Sequence, residues 1–289
     1  MNPRQFVPIV IVVTVGSLLG VAAVVSAENE HIKQQTIEQS FPAKPGSRVV
    51  IDSVNGSIRV QGYSGKEVRV VVREEMQGRS AADLQQAIEE IVLEIDSDEN
   101  QVSFYVRTPG RDCANRCFRS RNRHYSFSHE FELQVPYGVT LELHTVNDGD
   151  IRVDDVRSVV ELENVNGKIE ALGILGISDV RTVNGEIVLG FLEIPRTGGG
   201  VTTVNGDVDL AFPATPDVDV SMKTFNGKLF SEFAYTRRDN TPHVESRRSD
   251  GVYVYRSSGG TEISIGKGGP QWSLETLNGD IYIRKNDRS

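Results

Sequence analysis

Thr182-Val183-Asn184-Gly185-Glu186-Ile187-Val188-Leu189 is the stretch on which the reading of this chain turns, because the same phrase returns along most of its length. Its other copies are Val54-Asn55-Gly56-Ser57-Ile58, Val146-Asn147-Asp148-Gly149-Asp150-Ile151, Val165-Asn166-Gly167-Lys168-Ile169, Val204-Asn205-Gly206-Asp207-Val208, Phe225-Asn226-Gly227-Lys228-Leu229 and Leu277-Asn278-Gly279-Asp280-Ile281. From Asn147 to Asn226 the asparagines stand 19, 18, 21 and 21 residues apart, and Asn278 follows 52 residues later. A near-regular period of about 20 residues marks stacked repeats.

Asn-Gly between two alternating apolar runs first suggests a type I′ hairpin, in which both residues take positive φ. In such a hairpin the residue before Asn pairs with the residue after Gly, and both point to one face. That would set Val165 beside Lys168, Val183 beside Glu186 and Leu277 beside Asp280, an apolar–polar mismatch at every copy. A corner between two short strands avoids the mismatch. The residue before Asn and the residue two after Gly are then both expected in one core, and each period supplies two strands of about five to seven residues. The fold expected is all-β, a β-solenoid-like stack of Val-Asn-Gly repeats with an N-terminal β module carrying one short helix. Coils would rise about 4.8 Å each, with the asparagines stacked as an amide ladder. Regular turn spacing also fits stacked hairpins or a sandwich.

The 289 residues include 27 glycines and one tryptophan, with little helical periodicity, as an all-β protein requires. Net charge is −9, and loss of residues 1–27, which hold one Arg and no acid, would leave −10. This balance argues against nucleic-acid binding. Residues 1–27 read as an export segment: Arg4, an apolar run from Phe6 to Val25, then Val25-Ser26-Ala27 with small residues at a cleavage position. The run is also long enough to span a bilayer, so a cleaved signal peptide and an uncleaved anchor both fit. Membrane association is expected only if it stays. Either way the rest of the chain is expected outside the cytoplasm, in the periplasm or at the cell surface of a bacterium.

Residues 28–46 are polar, with Pro42 and Pro45, and are expected to be a linker. An N-terminal β module is expected over 47–107, with strands at Arg48–Val54, Ser57–Gln61 and Glu67–Arg73. Its helix opens at Ser80, with Asp83 completing a capping box and Leu84, Ala87, Ile88 and Ile91 on one face. A hairpin, Val92–Asp96 with Gln101–Arg107, follows. Residues 108–128 form a Cys- and Arg-rich insertion. Residues 129–286 are expected to be the β-repeat domain, with a polar insertion near 235–248 and Trp272 capping the final coil.

Several phrases in order carry a family likeness: Pro45 to Asp52, Asn55-Gly56-Ser57-Ile58-Arg59-Val60 followed by Gly62-Tyr63, the helix before the hairpin, Val135-Pro136-Tyr137-Gly138-Val139, and then the serial Val-Asn-Gly-x-Ile phrases. Together they resemble the bacterial "putative adhesin" domains, envelope-associated domains of unknown function also called adhesin-like. The likeness spans roughly 34–234 and the copy near Asn278. It implies a β-solenoid-like fold and an extracytoplasmic setting, and it brings no catalytic residues. The insertion at 108–128 falls outside the pattern.

Cys113 and Cys117 are the only cysteines, and the export segment puts them where disulfides persist, so a small disulfide ring is expected. With His124 and His129 they give Cys-x3-Cys-x6-His-x4-His, an alternative set of four zinc ligands. Arg107, Arg111, Arg116, Arg119, Arg121 and Arg123 cluster within an acidic protein, either as a solvated loop or as an anion-binding surface suited to phosphate and carboxylate. Asp148, Asp150, Asp154 and Asp155 bunch near the second copy, but their spacing fits neither an EF-hand nor the Gly-rich calcium nonapeptide, so they read as solvated turn acids. Gly-x-Ser-x-Gly, P-loop, Rossmann and His-Glu-x-x-His phrases are all missing.

These residues together point to a non-enzymatic cell-envelope protein with a β-repeat scaffold for adhesion, scaffolding or envelope-stress sensing. No cofactor is implied. The expected partner is an envelope protein, a glycan or an anionic lipid surface. A carbohydrate-active solenoid enzyme using surface carboxylates and a zinc-binding module at the Cys/His segment are the alternatives.

Overall fold

In the computed structural model, which describes residues 31–109, 124–238, 245–249, 252–256 and 260–286, apolar–polar alternation resolves into strands almost throughout. The export segment and most of the Cys- and Arg-rich insertion lie outside the described residues. In chain order the strands begin with β1 (Ile32–Pro42), β2 (Arg48–Asp52), β3 (Ile58–Tyr63) and β4 (Glu67–Gly78). After the helix α1 (Ala81–Glu90) come β5 (Val92–Ser97), β6 (Gln101–Arg107), β7 (Tyr125–Pro136), β8 (Thr140–His144) and β9 (Ile151–Asp154). Next are β10 (Val159–Glu163), β11 (Ile169–Ile174), β12 (Gly176–Arg181), β13 (Ile187–Phe191), β14 (Gly199–Thr202) and β15 (Val208–Phe212). The last are β16 (Val218–Thr224), β17 (Leu229–Ser231), β18 (Tyr235–Arg237), β19 (Glu245–Ser249), β20 (Val252–Arg256), β21 (Thr261–Ile265), β22 (Gln271–Thr276) and β23 (Ile281–Lys285).

The strands form two large sheets, one of 12 strands in the order β1-β4-β7-β3-β9-β11-β13-β15-β23-β17-β20-β19 and one of 11 in the order β18-β21-β16-β22-β14-β12-β10-β8-β2-β6-β5. Every Asn-Gly phrase carries the chain from the second sheet to the first: β2 to β3, β8 to β9, β10 to β11, β12 to β13, β14 to β15, β16 to β17 and β22 to β23. The flanking strands of one copy therefore never pair with each other. They pair in parallel with the matching strands of neighbouring copies, Ile169 opposite both Ile151 and Ile187, and Val208 opposite both Ile187 and Ile281. None of the seven asparagines has positive φ, which a type I′ turn would demand.

Between the sheets, like residues stack in columns. Ile58, Ile151, Ile169, Ile187, Val208, Ile281 and Leu229 come from the first sheet, and Ile51, Leu143, Leu162, Val180, Val201, Leu274 and Met222 from the second; all are buried. Each such side chain removed from water contributes about 1.5–3 kcal/mol, gross of the entropy of ordering it. No single copy could bury both its faces alone.

Three sequence expectations change. The residue before each Asn does not join the core: Val183, Leu277 and Phe225 are 38, 46 and 78 % exposed. Strand alternation from Val180 puts Thr182 inside and Val183 outside, so the inward position is two before Asn, where Thr145, Asn164, Thr182, Thr203, Thr224 and Thr276 are all buried. Residues 32–42, read as part of a linker, form β1 instead, paired antiparallel with β4 from Ile32 opposite Gln77 to Pro42 opposite Glu67. As an edge strand with one wet face it has the polar composition of a spacer, while Ile37 and Phe41 pack on the core.

Trp272 caps nothing. It lies buried on β22, in edge contact with Phe191 at 5.3 Å and Phe212 at 5.9 Å, and β22 runs between β14 and β16 in the middle of its sheet. The copies are accordingly not stacked in chain order, since the last one inserts between the two before it.

Helix α1 forms as read. The Ser80 side chain accepts a hydrogen bond from Asp83 N, Ala87 is buried, and the helix packs on β4 and β7. Among the described residues no helix is long and apolar enough to cross a membrane.

Candidate functional site

The corners align into one edge of the molecule. Along it the asparagine side chains follow the order Asn55, Asn147, Asn166, Asn184, Asn205, Asn278, Asn226. Each Nδ2 donates to the Oδ1 before it, at 3.3, 2.8, 2.8, 2.7, 2.7 and 2.8 Å. At the near end Asn55 Nδ2 donates to the Phe127 carbonyl. The result is an unbroken row of amides, each held in one rotamer by the next.

A second row lies just inside. The residue two before each Asn donates to the carbonyl of the glycine one rung away: Thr145 to Gly56, Asn164 to Gly149, Thr182 to Gly167, Thr203 to Gly185, Thr276 to Gly206 and Thr224 to Gly279, all within 2.9–3.1 Å. These five hydroxyls and the Asn164 amide satisfy carbonyls that the corner takes out of the strand ladder. At the end of the row Ser53 is fully buried and, among the described residues, its hydroxyl has no partner. The rows also explain the glycine: a Cβ on Gly185 would sit 2.0 Å from the Gly167 carbonyl oxygen. Threonine two before Asn recurs in the sequence as plainly as the Asn-Gly itself, and that recurrence was the signal for this row.

A third row uses the acid after glycine. Asp150 Oδ1 accepts the Lys168 amide, Asp207 Oδ1 the Asp280 amide and Asp280 Oδ1 the Lys228 amide, each at 2.7 Å. Asp154 is paired with Arg152, and Asp155 with Arg157 and the Tyr137 hydroxyl. Asp150, Asp154 and Asp155 thus serve the chain's own donors, while Asp148 is exposed with a φ of 58°. Among the described residues no three His, Cys, Asp or Glu side chains converge as metal ligands.

Outside the asparagines runs the column of residues that precede them, apolar at every copy, with exposure highest at Leu277 and Phe225 on the last two rungs. On the opposite corners Leu175, Leu192 and Ile194 are also 36–42 % exposed. The outer face of the second sheet is acidic across β8, β10 and β12. There His144 contacts Glu163 at 3.2 Å and Glu142 at 3.4 Å, and Arg181 pairs with Asp179. Burial, reinforced by Glu161 and Glu163, pushes the Asp179 carboxyl up despite that pairing.

At the Asn55 end, β4 and β7 enclose a charged group. His129, fully buried, places Nε2 3.1 Å from Glu74 Oε2, and Lys33 Nζ lies 3.0 Å from Glu74 Oε1. Burial alone would raise the Glu74 carboxyl, but the His129 hydrogen bond and the Lys33 charge outweigh it and hold it below the ordinary carboxylate range.

Of the residues singled out by sequence, all seven asparagines lie on the ladder, and Gly56, Gly149, Gly167, Gly185, Gly206 and Gly279 supply the carbonyls of the inner row. His129 faces inward because Phe127, His129 and Phe131 share one side of β7, whereas His124 precedes that strand and accepts from the Arg79 amide. Arg107 ends β6 and pairs with Glu94 at 2.8 Å. Cys113, Cys117, Arg111, Arg116, Arg119, Arg121 and Arg123 lie outside the described residues.

No protein-family model matches the chain, and no curated protein matches it. Solved structures do. A putative cell adhesion protein from Clostridium sporogenes is similar at 12 % identity and a TM-score of 0.40, over 87 % of this chain and 100 % of that one. A putative adhesin from Bacteroides fragilis is similar at 8 % identity and a TM-score of 0.27, over 87 % and 97 %. A putative lipid binding protein from Parabacteroides distasonis is similar at 9 % identity and a TM-score of 0.30, over 90 % and 98 %. The solved structures similar to this chain include bacterial proteins named as adhesins, the family that the serial Val-Asn-Gly phrases resemble.

Proposed function

We propose that this chain is a non-enzymatic protein of the bacterial cell envelope whose β-repeat stack, wound as a β-solenoid, is a scaffold for adhesion or envelope sensing. Residues 1–27 export it, as a cleaved signal or a retained anchor, to the periplasm or cell surface. The partner is an envelope protein, a glycan or an anionic lipid surface. Cys113 and Cys117 close a disulfide that stiffens the Arg-rich segment, whose guanidinium groups dock anionic groups.

One observation carries this reading: the apolar column outside the asparagines, rising to Phe225 at 78 % exposed, on an edge clamped by three rows of hydrogen bonds. Large apolar side chains left exposed on a stiff frame suit binding, because little ordering entropy is lost when they are covered.

The test is crosslinking and pull-down from envelope fractions with the intact protein, with Phe225→Asp/Leu277→Asp, and with residues 108–128 deleted. Loss of a specific partner by about tenfold in either variant, the size of a modest hot spot, supports the proposal. Equal capture by all three overturns it.

A further inference from the structure

Asn-Gly is the dipeptide most open to spontaneous loss of the side-chain amide, because glycine leaves the following backbone nitrogen unshielded. The glycine nitrogen attacks Asn Cγ, a C–N bond forms, the Cγ–Nδ2 bond breaks, and ammonia leaves with the glycine proton. Water then opens the five-membered imide to aspartate or isoaspartate. The step needs a side-chain amide able to turn toward the glycine nitrogen, so not one held at both its oxygen and its nitrogen, and a free glycine N–H.

Interior rungs lack at least one of the two. Asn184 donates to Asn166 and accepts from Asn205, and the Gly185 N–H donates to the Asn205 carbonyl at 2.9 Å. Asn166 with Gly167 and Asn205 with Gly206 are held the same way. Asn55 is pinned by Phe127 and Asn147, and the Gly56 N–H donates to the Asn147 carbonyl. Among the described residues the Gly279 N–H donates to none, but the Asn278 side chain is held at both ends, by Asn205 and Asn226. Asn226 ends the row. Its Nδ2 donates to Asn278, but among the described residues its Oδ1 receives no hydrogen bond and the Gly227 N–H donates to none.

We propose that Asn226 is a modification site, converting to aspartate or isoaspartate ahead of the five other Asn-Gly positions. The product puts a carboxylate beside Phe225 and replaces the amide donor facing Asn278 Oδ1 with an acceptor, so the last rung opens. The ladder that stiffens the stack is also what shields its interior asparagines.

The full-length protein is incubated at mildly alkaline pH, folded or in urea, then digested and its peptides weighed. In the folded protein the Asn226 peptide is expected to gain the mass of an amide-to-acid exchange more than about tenfold faster than the Asn184 peptide, which must first open locally. In urea the two should convert at similar rates. Equal rates in the folded protein, or an Asn226 that stays intact while the unfolded chain converts, overturn the proposal.

Discussion

Asn278 Nδ2 donates to Asn205 Oδ1 at 2.7 Å although 73 residues separate them, a shorter link than the 3.3 Å between Asn147 and Asn55. The C-terminal segment therefore leaves the stack after Asn226 and returns to occupy a rung between two earlier ones. A rung inserted from far along the chain ties the end of the sequence to its middle, which a stack wound in simple succession would not do.

Position along the ladder should set the cost of losing an asparagine. Asn184→Ala removes two side-chain bonds and leaves Asn166 and Asn205 each short of a partner, so about 1–3 kcal/mol of stability is expected to go. Asn226→Ala removes one exposed bond, and about 1 kcal/mol or less is expected. Urea unfolding of the two variants checks the ranking.

The inner hydroxyl row gives a sharper contrast. Thr203→Val strips the Gly185 carbonyl of its donor in a buried site and is expected to cost about 1–2 kcal/mol. Ser53→Ala occupies the same structural position, but the Ser53 hydroxyl has no partner to lose. It should be neutral or slightly stabilising in the same unfolding assay.

Much of this was written in the sequence. The mismatch of Val165 with Lys168 and of Val183 with Glu186 argued against a tight hairpin, and the two sheets are reached through corners. The direction of Val183 was not legible, because the mismatch says only that two residues face different ways and leaves open which one is inside. Threonine decides it, through a hydrogen bond to another rung; its recurrence two before Asn marks the position, but not the partner that turns it inward. The order of the rungs was equally hidden, since every copy has nearly the same surface to offer its neighbours and Trp272 finds its place only against Phe191 and Phe212.

The buried charged group predicts an acid-sensitive end. The Glu74 carboxyl lies lower when folded than when unfolded, so its contribution is fully present above the unfolded value, about 4.3, and is lost as pH falls through the folded one. Acid unfolding of Glu74→Gln should therefore be less steep than that of the natural protein. At neutral pH the variant should be the less stable of the two, because His129 and Lys33 lose their anion. Parallel acid titrations with unchanged slope would remove Glu74 from this role.

The inserted rung makes the strongest demand on the whole fold. Without residues 261–289, β14 loses its neighbour β22 and β15 loses β23, while Phe191 and Phe212 lose the indole that covers them. The Asn226 copy would be left without the rung it hangs from. Such a truncation removes a central element from a continuous core, so the expected outcome is loss of cooperative unfolding and binding of a hydrophobic dye. Trp272→Ala is the gentler version, with about 3–5 kcal/mol lost to the cavity but the strand order kept. If the truncated chain instead unfolded cooperatively at the temperature of the full one, the C-terminal strands would be an appendage to the stack, and the rung between Asn205 and Asn226 would not be theirs.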